Sequence, residues 1–157
     1  MVDIVSKEVR SRMMSGIKGK NTKPELLIRK ALHQQGFRYK LHDKSLPGKP
    51  DLVFPRYRAV IMVNGCFWHG HRCHLFKWPK TRPEFWRKKI ERNIQKDSEN
   101  LDGLQVLEWR VLTIWECTMK GRERIPMDEI VSQTADWLAS DKTSMEITGN
   151  DSQSQET

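Results

Sequence analysis

Two cysteines and three histidines fall within nine residues of this 157-residue chain: Cys66, His69, His71, Cys73 and His74. No other feature restricts the fold as much. The third cysteine, Cys117, follows a separate apolar segment, so a metal shared by both groups would tie two distant pieces of backbone together. Three cysteines cannot form a fully paired disulfide framework. Thiols mixed with imidazoles are instead the soft and borderline donors that zinc takes. Cys66, His71, Cys73 and Cys117 would close a tetrahedral site, and a closed site leaves no position for water, which makes it structural. His69 and His74 are rivals for the imidazole place, because spacing does not separate neighbours in one loop. The plainer alternative is a set of buried thiols beside surface histidines.

The segments around this loop read as one α/β domain, which is also what 157 residues supports. Thr22-Lys23-Pro24-Glu25 is a capping box opening a helix with Leu27, Ile28, Ala31 and Leu32 on one face, ended by Gly36. Phe37, Tyr39 and Leu41 alternate with polar residues as a half-buried strand does. After the turn Leu46-Pro47-Gly48-Lys49-Pro50, residues 51–54 and 59–63 read as two strands, the second apolar throughout and therefore central. Thr81-Arg82-Pro83-Glu84 is a second capping box for a long helix reaching about Leu107. Its apolar stripe, Trp86, Ile90, Leu101 and Leu104, also carries Asn93 and Asp97, two polar residues that need a reason to face inward. Residues 110–115 form another strand, leading directly to Cys117, and Pro126 starts a last helix. The expected organisation is a basic arm over 1–20, a folded domain over 21–140 and a disordered polar tail over 141–157.

Charge narrows the function. Lys and Arg number 28 against 20 Asp and Glu, a net +8. Asp141, Glu146, Asp151 and Glu156 against Lys142 leave the tail at −3, so residues 1–140 hold +11. A balance of this kind fits a polyanionic partner. Phosphate contacts are expected from Lys7, Arg10 and Arg12 of the arm and from Arg87, Lys88, Lys89 and Arg92 of the long helix. Asn93 and Asp97 of the same helix are counted with the DNA-facing residues. No apolar run approaches the roughly 20 residues of a membrane helix, and the first residues lack the apolar core of a secretory signal. A soluble, cytoplasmic, nucleoid-associated monomer is expected.

Three residues suggest hydrolysis. Asp51, after a rigid turn and before an apolar strand, is a hard-oxygen ligand suited to Mg²⁺. Glu25 lies in the first turn of a helix, where capping alone also accounts for it. His69, between Trp68 and Gly70 in the metal-tied loop, is an imidazole suited to a general base. Phe67 and Trp68 cannot both be core by periodicity; on a basic chain they suggest stacking on or wedging between bases, or else a cover over the zinc.

Leu46-Pro47-Gly48-Lys49-Pro50-Asp51, Asn64-Gly65-Cys66-Phe67-Trp68-His69-Gly70-His71-Arg72-Cys73 and Arg110-Val111-Leu112 through Trp115-Glu116-Cys117 together resemble the very-short-patch repair (Vsr) DNA mismatch endonucleases, over roughly residues 6–138. The resemblance implies a restriction-endonuclease-like core, a central mixed sheet flanked by helices, with a structural zinc. It implies Mg²⁺-dependent nicking 5′ of the thymine in a T·G mismatch, the product of 5-methylcytosine deamination. By the same resemblance Asp51 is the metal-binding aspartate and His69 the catalytic histidine. Cys66, His71, Cys73 and Cys117 are the zinc ligands, Glu25 and Asp97 are acidic positions near the site, and Phe67 and Trp68 form the wedge. Val63 replaces a threonine whose backbone carbonyl would serve as a Mg²⁺ ligand equally well from valine. Asn64 stands where a histidine can occur. Partners implied are double-stranded DNA with a T·G mismatch and, functionally, MutL and a cytosine-5 DNA methyltransferase. Two other readings stand beside this one: a zinc-stabilised, non-catalytic binder of distorted DNA, and a Vsr-like nuclease of a restriction or defence system.

Overall fold

The computed structural model describes residues 21–150; the arm expected over 1–20, with Lys7, Arg10 and Arg12, lies outside the described residues, as do residues 151–157. Helix α1, Lys23–Gln34, begins as its sequence dictates: the Thr22 hydroxyl accepts the Glu25 N–H at 3.4 Å. The Glu25 carboxylate reaches back one residue beyond the cap, to the Asn21 N–H at 3.0 Å. The helix ends where Gly36 turns to φ +95°, which lets the N–H groups of Gly36 and Phe37 bond to the His33 and Leu32 carbonyls at 3.0 and 3.1 Å.

The strand expected over Phe37, Tyr39 and Leu41 shrinks to β1, Lys40–Leu41. Phe37 and Tyr39 pack instead on Phe54, with centroids 6.3 and 5.6 Å away, and the Tyr39 hydroxyl donates to the Arg29 carbonyl at 2.7 Å. Burying the two rings beside α1 holds this backbone against the helix and out of the ladder. Strand β2, Leu52–Phe54, runs antiparallel to both β1 and β3, Ala59–Asn64. Strand β4, Arg110–Trp115, lies parallel to β3, and β5, Ser144–Ile147, parallel to β4. The sheet order is β1-β2-β3-β4-β5, so β3 is central, as its unbroken apolar run implies.

Alternation along the strands sends residues to two cores. Leu52, Phe54, Ala59, Ile61, Leu112 and Ile114 face α1 and the last helix, α3 (Met127–Ala139), which contributes Ile130, Trp137 and Leu138. Val53, Val60 and Val111 face Leu104 of α2, Pro83–Val106. The architecture is a mixed five-stranded sheet with helices on both faces. The second capping box does not form. The cap of α2 is Arg82, left-handed at φ 53° with no side-chain cap bond, and its guanidinium sits over the Phe85 ring at 4.4 Å.

The disorder expected from Asp141 onward is overturned for residues 141–150, the described part of that segment. In Ser144–Ile147 the inward residues are Met145 and Ile147, a period of two hidden inside a polar segment, and β4 offers them an open edge. Arg110 holds the approach to β5. Its guanidinium donates to the carbonyls of Tyr57, Trp137 and Leu138 at 3.0–3.1 Å and stacks over the Trp137 ring. No helix of the described residues is long and apolar enough to cross a membrane.

Candidate active site and metal centres

Parallel pairing of β3 and β4 brings their C-terminal ends together, and both metal-type loops leave from there. Cys66, His71, Cys73 and Cys117 converge, with one ligand atom from each lying within 4.8 Å of the others. His71 Nδ1 is 3.4 Å from Cys66 Sγ and 3.7 Å from Cys117 Sγ. A tetrahedral zinc with ordinary Zn–S and Zn–N lengths separates sulfur from nitrogen by about 3.6 Å, so the donor set fits the ion in type, number and spacing. The hydrogen bond with Cys117 and burial push the Cys66 thiol up, and the bonds with Cys66 and His71 bring Cys117 down to about 4. Burial also raises Cys73. A zinc ion held here would take these sulfurs as thiolates, so its binding would release protons.

The surroundings lock this cluster. His71 stacks on Trp115 with centroids 4.0 Å apart and planes 6° apart, and the Trp115 indole N–H donates to Glu146 Oε1 of β5 at 2.9 Å. The Glu116 carboxylate accepts the Cys66 N–H, and the Gly149 N–H points to Cys117 Sγ at 3.2 Å. A Cβ on Gly149 would meet the Cys117 and Glu123 carbonyl oxygens at 2.7 and 2.8 Å, so only glycine fits there. The segment expected to be a tail thus completes the wall of the zinc-type site. His69 and His74 stay out of it: His74 pairs with Glu123 at 3.2 Å and His69 points to α2.

A second group forms where the N-terminal turn of α1 meets the start of β2. Asp51 Oδ2 accepts the Val63 N–H at 2.7 Å, which fastens this partly buried carboxylate to the central strand. Glu25 is 1% exposed, and its Oε2 takes His42 Nε2 at 2.7 Å and Arg29 Nη1 at 3.2 Å. Glu25, His42 and Asp51 offer ligand atoms within 4.8 Å of one another. Burial pushes the Asp51 carboxyl up to about 7; the Val63 N–H opposes the rise and the Glu25 carboxylate adds to it. Two neighbouring carboxylates, one of them already bonded to Arg29, offer the hard oxygen donors that a divalent cation takes. Val63 and Asn64, at the end of β3, line the same cleft as Asp51.

That cleft, about 1380 Å³, is also lined by His69 and Asp97. Asp97 Oδ2 accepts from His69 Nδ1 at 2.5 Å, and Asn93 Nδ2 donates to the Trp68 carbonyl at 2.8 Å. The two polar residues on the inward stripe of α2 therefore hold the catalytic-type loop. Phe67 and Trp68 also line the cleft and form an aromatic cluster with Trp86, whose centroid is 5.4 and 5.8 Å from theirs. The Trp115–His71 stack, not this pair, lies against the zinc-type ligands. Arg87, Lys88, Lys89 and Arg92 are exposed on α2. Sequence reasoning missed three residues here. Trp86 had been read as ordinary core stripe, Lys49 of the turn is exposed at the cleft, and His42 gave no signal because its role depends on Glu25, 17 positions away.

Along most of its length the chain is similar to known proteins. The family profile described as DNA mismatch endonuclease Vsr matches residues 2–75. The chain is 41% identical to the DNA mismatch endonuclease Vsr of Escherichia coli (strain K12) over 147 residues, 94% of each chain. It is 44% identical to the type II nicking enzyme V.XorIIP of Xanthomonas oryzae pv. oryzae, covering 76% of this chain and 88% of that protein. It is 43% identical to the type II nicking enzyme V.NmeAIP of Neisseria meningitidis serogroup A, covering 78% and 87%. With a mixed sheet of restriction-endonuclease type, a Cys₃His cluster and near-complete overlap with these proteins, the chain belongs to the Vsr DNA mismatch endonuclease family.

Proposed function

We propose that this protein nicks one DNA strand on the 5′ side of the thymine in a T·G mismatch, in a Mg²⁺-dependent reaction that starts very-short-patch repair. The observation that carries the reading is the cleft itself, lined both by an Asp51 fastened to Val63 and by the His69–Asp97 pair. Asp51 and the Val63 backbone carbonyl would hold the Mg²⁺, which supplies electrophilic stabilisation of charge developing on the phosphate. Asp97 receives the His69 Nδ1–H, which leaves Nε2 with a free lone pair to take a proton from the attacking water. Glu25 strengthens the negative field around Asp51, and the exposed Lys23 and Lys49 at the cleft meet phosphate. Phe67, Trp68 and Trp86 present a hydrophobic wedge suited to a mispaired step, which unstacks at lower cost than a matched one.

Cys66, His71, Cys73 and Cys117 would hold a structural zinc that fixes the loop carrying His69 and the wedge. A cytosine-5 methyltransferase would supply the 5-methylcytosine whose hydrolytic deamination leaves the T·G mismatch, and MutL is the expected repair partner. A second reading follows from the relatives named as type II nicking enzymes: a nick in the setting of a restriction system, at different flanking bases. Incubation with Mg²⁺ of matched and T·G duplexes carrying varied flanks, with nicks read strand by strand, decides. Nicks confined to the thymine strand of mismatched duplexes are expected. Tight binding without any nick would replace the enzyme by a non-catalytic binder, and equal nicking of matched sites would favour the restriction setting.

A further inference from the structure

We propose that His42 is a nitrogen ligand of the Asp51 cation site, so that this site favours a first-row transition ion such as Mn²⁺ over Mg²⁺ more strongly than carboxylates alone would. The inference rests on the cation site of the preceding reading and adds its donor set. His42 follows the edge strand β1, and its own N–H donates to the Asp51 carbonyl at 3.1 Å, one step beyond the paired residues. Its φ is +48°, a left-handed conformation that histidine adopts more readily than most residues. In this conformation the ring leaves the sheet edge and places Nε2 2.7 Å from Glu25 Oε2, with an Asp51 oxygen within 4.8 Å.

A surface histidine at a sheet edge has no need of such a position, and His42 keeps only 16% of its side chain exposed. Glu25 already has charge and hydrogen bonds from Arg29 and the Asn21 N–H, so it does not depend on the imidazole for partners. Facing Glu25 alone, Nε2 carries the proton and donates it; a cation held by the two carboxylates would meet the other tautomer, with the proton on Nδ1 and the Nε2 lone pair directed at the ion. Two oxygens and an imidazole nitrogen suit Mn²⁺ and its heavier neighbours. Mg²⁺, which demands oxygen donors and sheds water reluctantly, gains little from the nitrogen.

The test uses the zinc-loaded full chain titrated with Mn²⁺ and followed by electron paramagnetic resonance, with pulsed measurement of nitrogen coupling. One bound Mn²⁺ with imidazole nitrogen modulation is expected, and ¹⁵N-histidine labelling should change its frequency. His42→Gln, which retains a donor towards Glu25, should abolish the modulation and lower the ratio of Mn²⁺ to Mg²⁺ affinity about tenfold. His69→Ala should keep both. Modulation that survives His42→Gln, or is absent while Mn²⁺ is bound and Asp51→Asn releases it, overturns the ligand role and leaves the cation site standing. If the unaltered protein binds no Mn²⁺, or Asp51→Asn binds it as tightly, the cation site fails together with the ligand.

Discussion

Cys66 and Cys117 each lie two residues beyond one register pair of the sheet, Asn64 on β3 and Trp115 on β4. Fifty-one positions apart in the chain, they are neighbours because parallel strands end side by side. The same equal offset places the Cys66 N–H on the Glu116 carboxylate at 3.1 Å. The metal-type centre is thus a continuation of the strand pairing, and what disturbs one disturbs the other.

Loss of a single ligand is therefore expected to cost folding as well as metal. Cys117→Ser should lose the zinc and destabilise the domain by on the order of 5 kcal/mol, since the metal's binding energy is largely folding energy. Gly149→Ala should weaken zinc retention without removing a ligand, because a methyl group there meets two backbone oxygens. Zinc content and denaturant unfolding of each variant check both.

Asp51 makes stability depend on pH in a specific direction. Its folded-state pKa, about 7, lies above the ordinary carboxylate value of 3.8, so the folded protein holds this proton more tightly than the unfolded chain does. The stability it contributes is complete below about pH 4 and is lost as pH rises through about 7. Asp51→Asn should remove that dependence and, without added Mg²⁺, be more stable than the unaltered protein at pH 8 by about 2 kcal/mol. Urea unfolding at pH 5 and pH 8 in zinc-replete buffer measures it; equal pH slopes for the two proteins would contradict the assignment.

His69 and Asp97 should behave as base and orienter. His69→Ala is expected to slow nicking by about 10²–10⁴-fold, and Asp97→Asn by about 10-fold or more, because the amide no longer selects the tautomer with Nε2 free. Binding to a T·G duplex should change little in either. Single-turnover nicking beside a binding isotherm, with zinc content checked, separates chemistry from affinity.

The aromatic cluster should govern discrimination instead of rate. Phe67→Ala, Trp68→Ala or Trp86→Ala removes a ring from a mutually packed set, so unstacking the mismatch is no longer offset. Competition between T·G and matched duplexes should show preference shrinking about tenfold, with Trp86 as effective as the two loop residues. A Trp86→Ala protein with full preference would return Trp86 to the role of core residue.

Arg110 has no place in the chemistry, yet Arg110→Lys is expected to cost about 2 kcal/mol. A single ammonium cannot reach the carbonyls of Tyr57, Trp137 and Leu138 together from one planar fork. Hydrogen exchange should show β5 opening first, since it joins the sheet only through β4.

Much of this protein was determined by the sequence alone. The Thr22 cap, the central apolar strand and the three thiols of the zinc-type cluster were legible because each depends on residue type within a turn or two, or on donor chemistry that few residues share; His71 was separated from His69 and His74 only by the family resemblance. The second capping box was legible too, and wrong: the chain enters α2 through a left-handed Arg82, which leaves Thr81 outside the cap. Tertiary structure decided the rest. Asn93 and Asp97 on an apolar stripe became explicable only when α2 was docked with that stripe over the loop of Trp68 and His69. Glu25 changed from a capping residue to a buried neighbour of Asp51 when β1 delivered His42 to it. Ser144–Ile147, polar enough to read as disordered, became a strand because β4 had an unpaired edge and Arg110 held the approach to it. Local propensity is a property of a few consecutive residues; a site built from partners 17, 28 or 46 positions apart exists only once packing has chosen which faces meet.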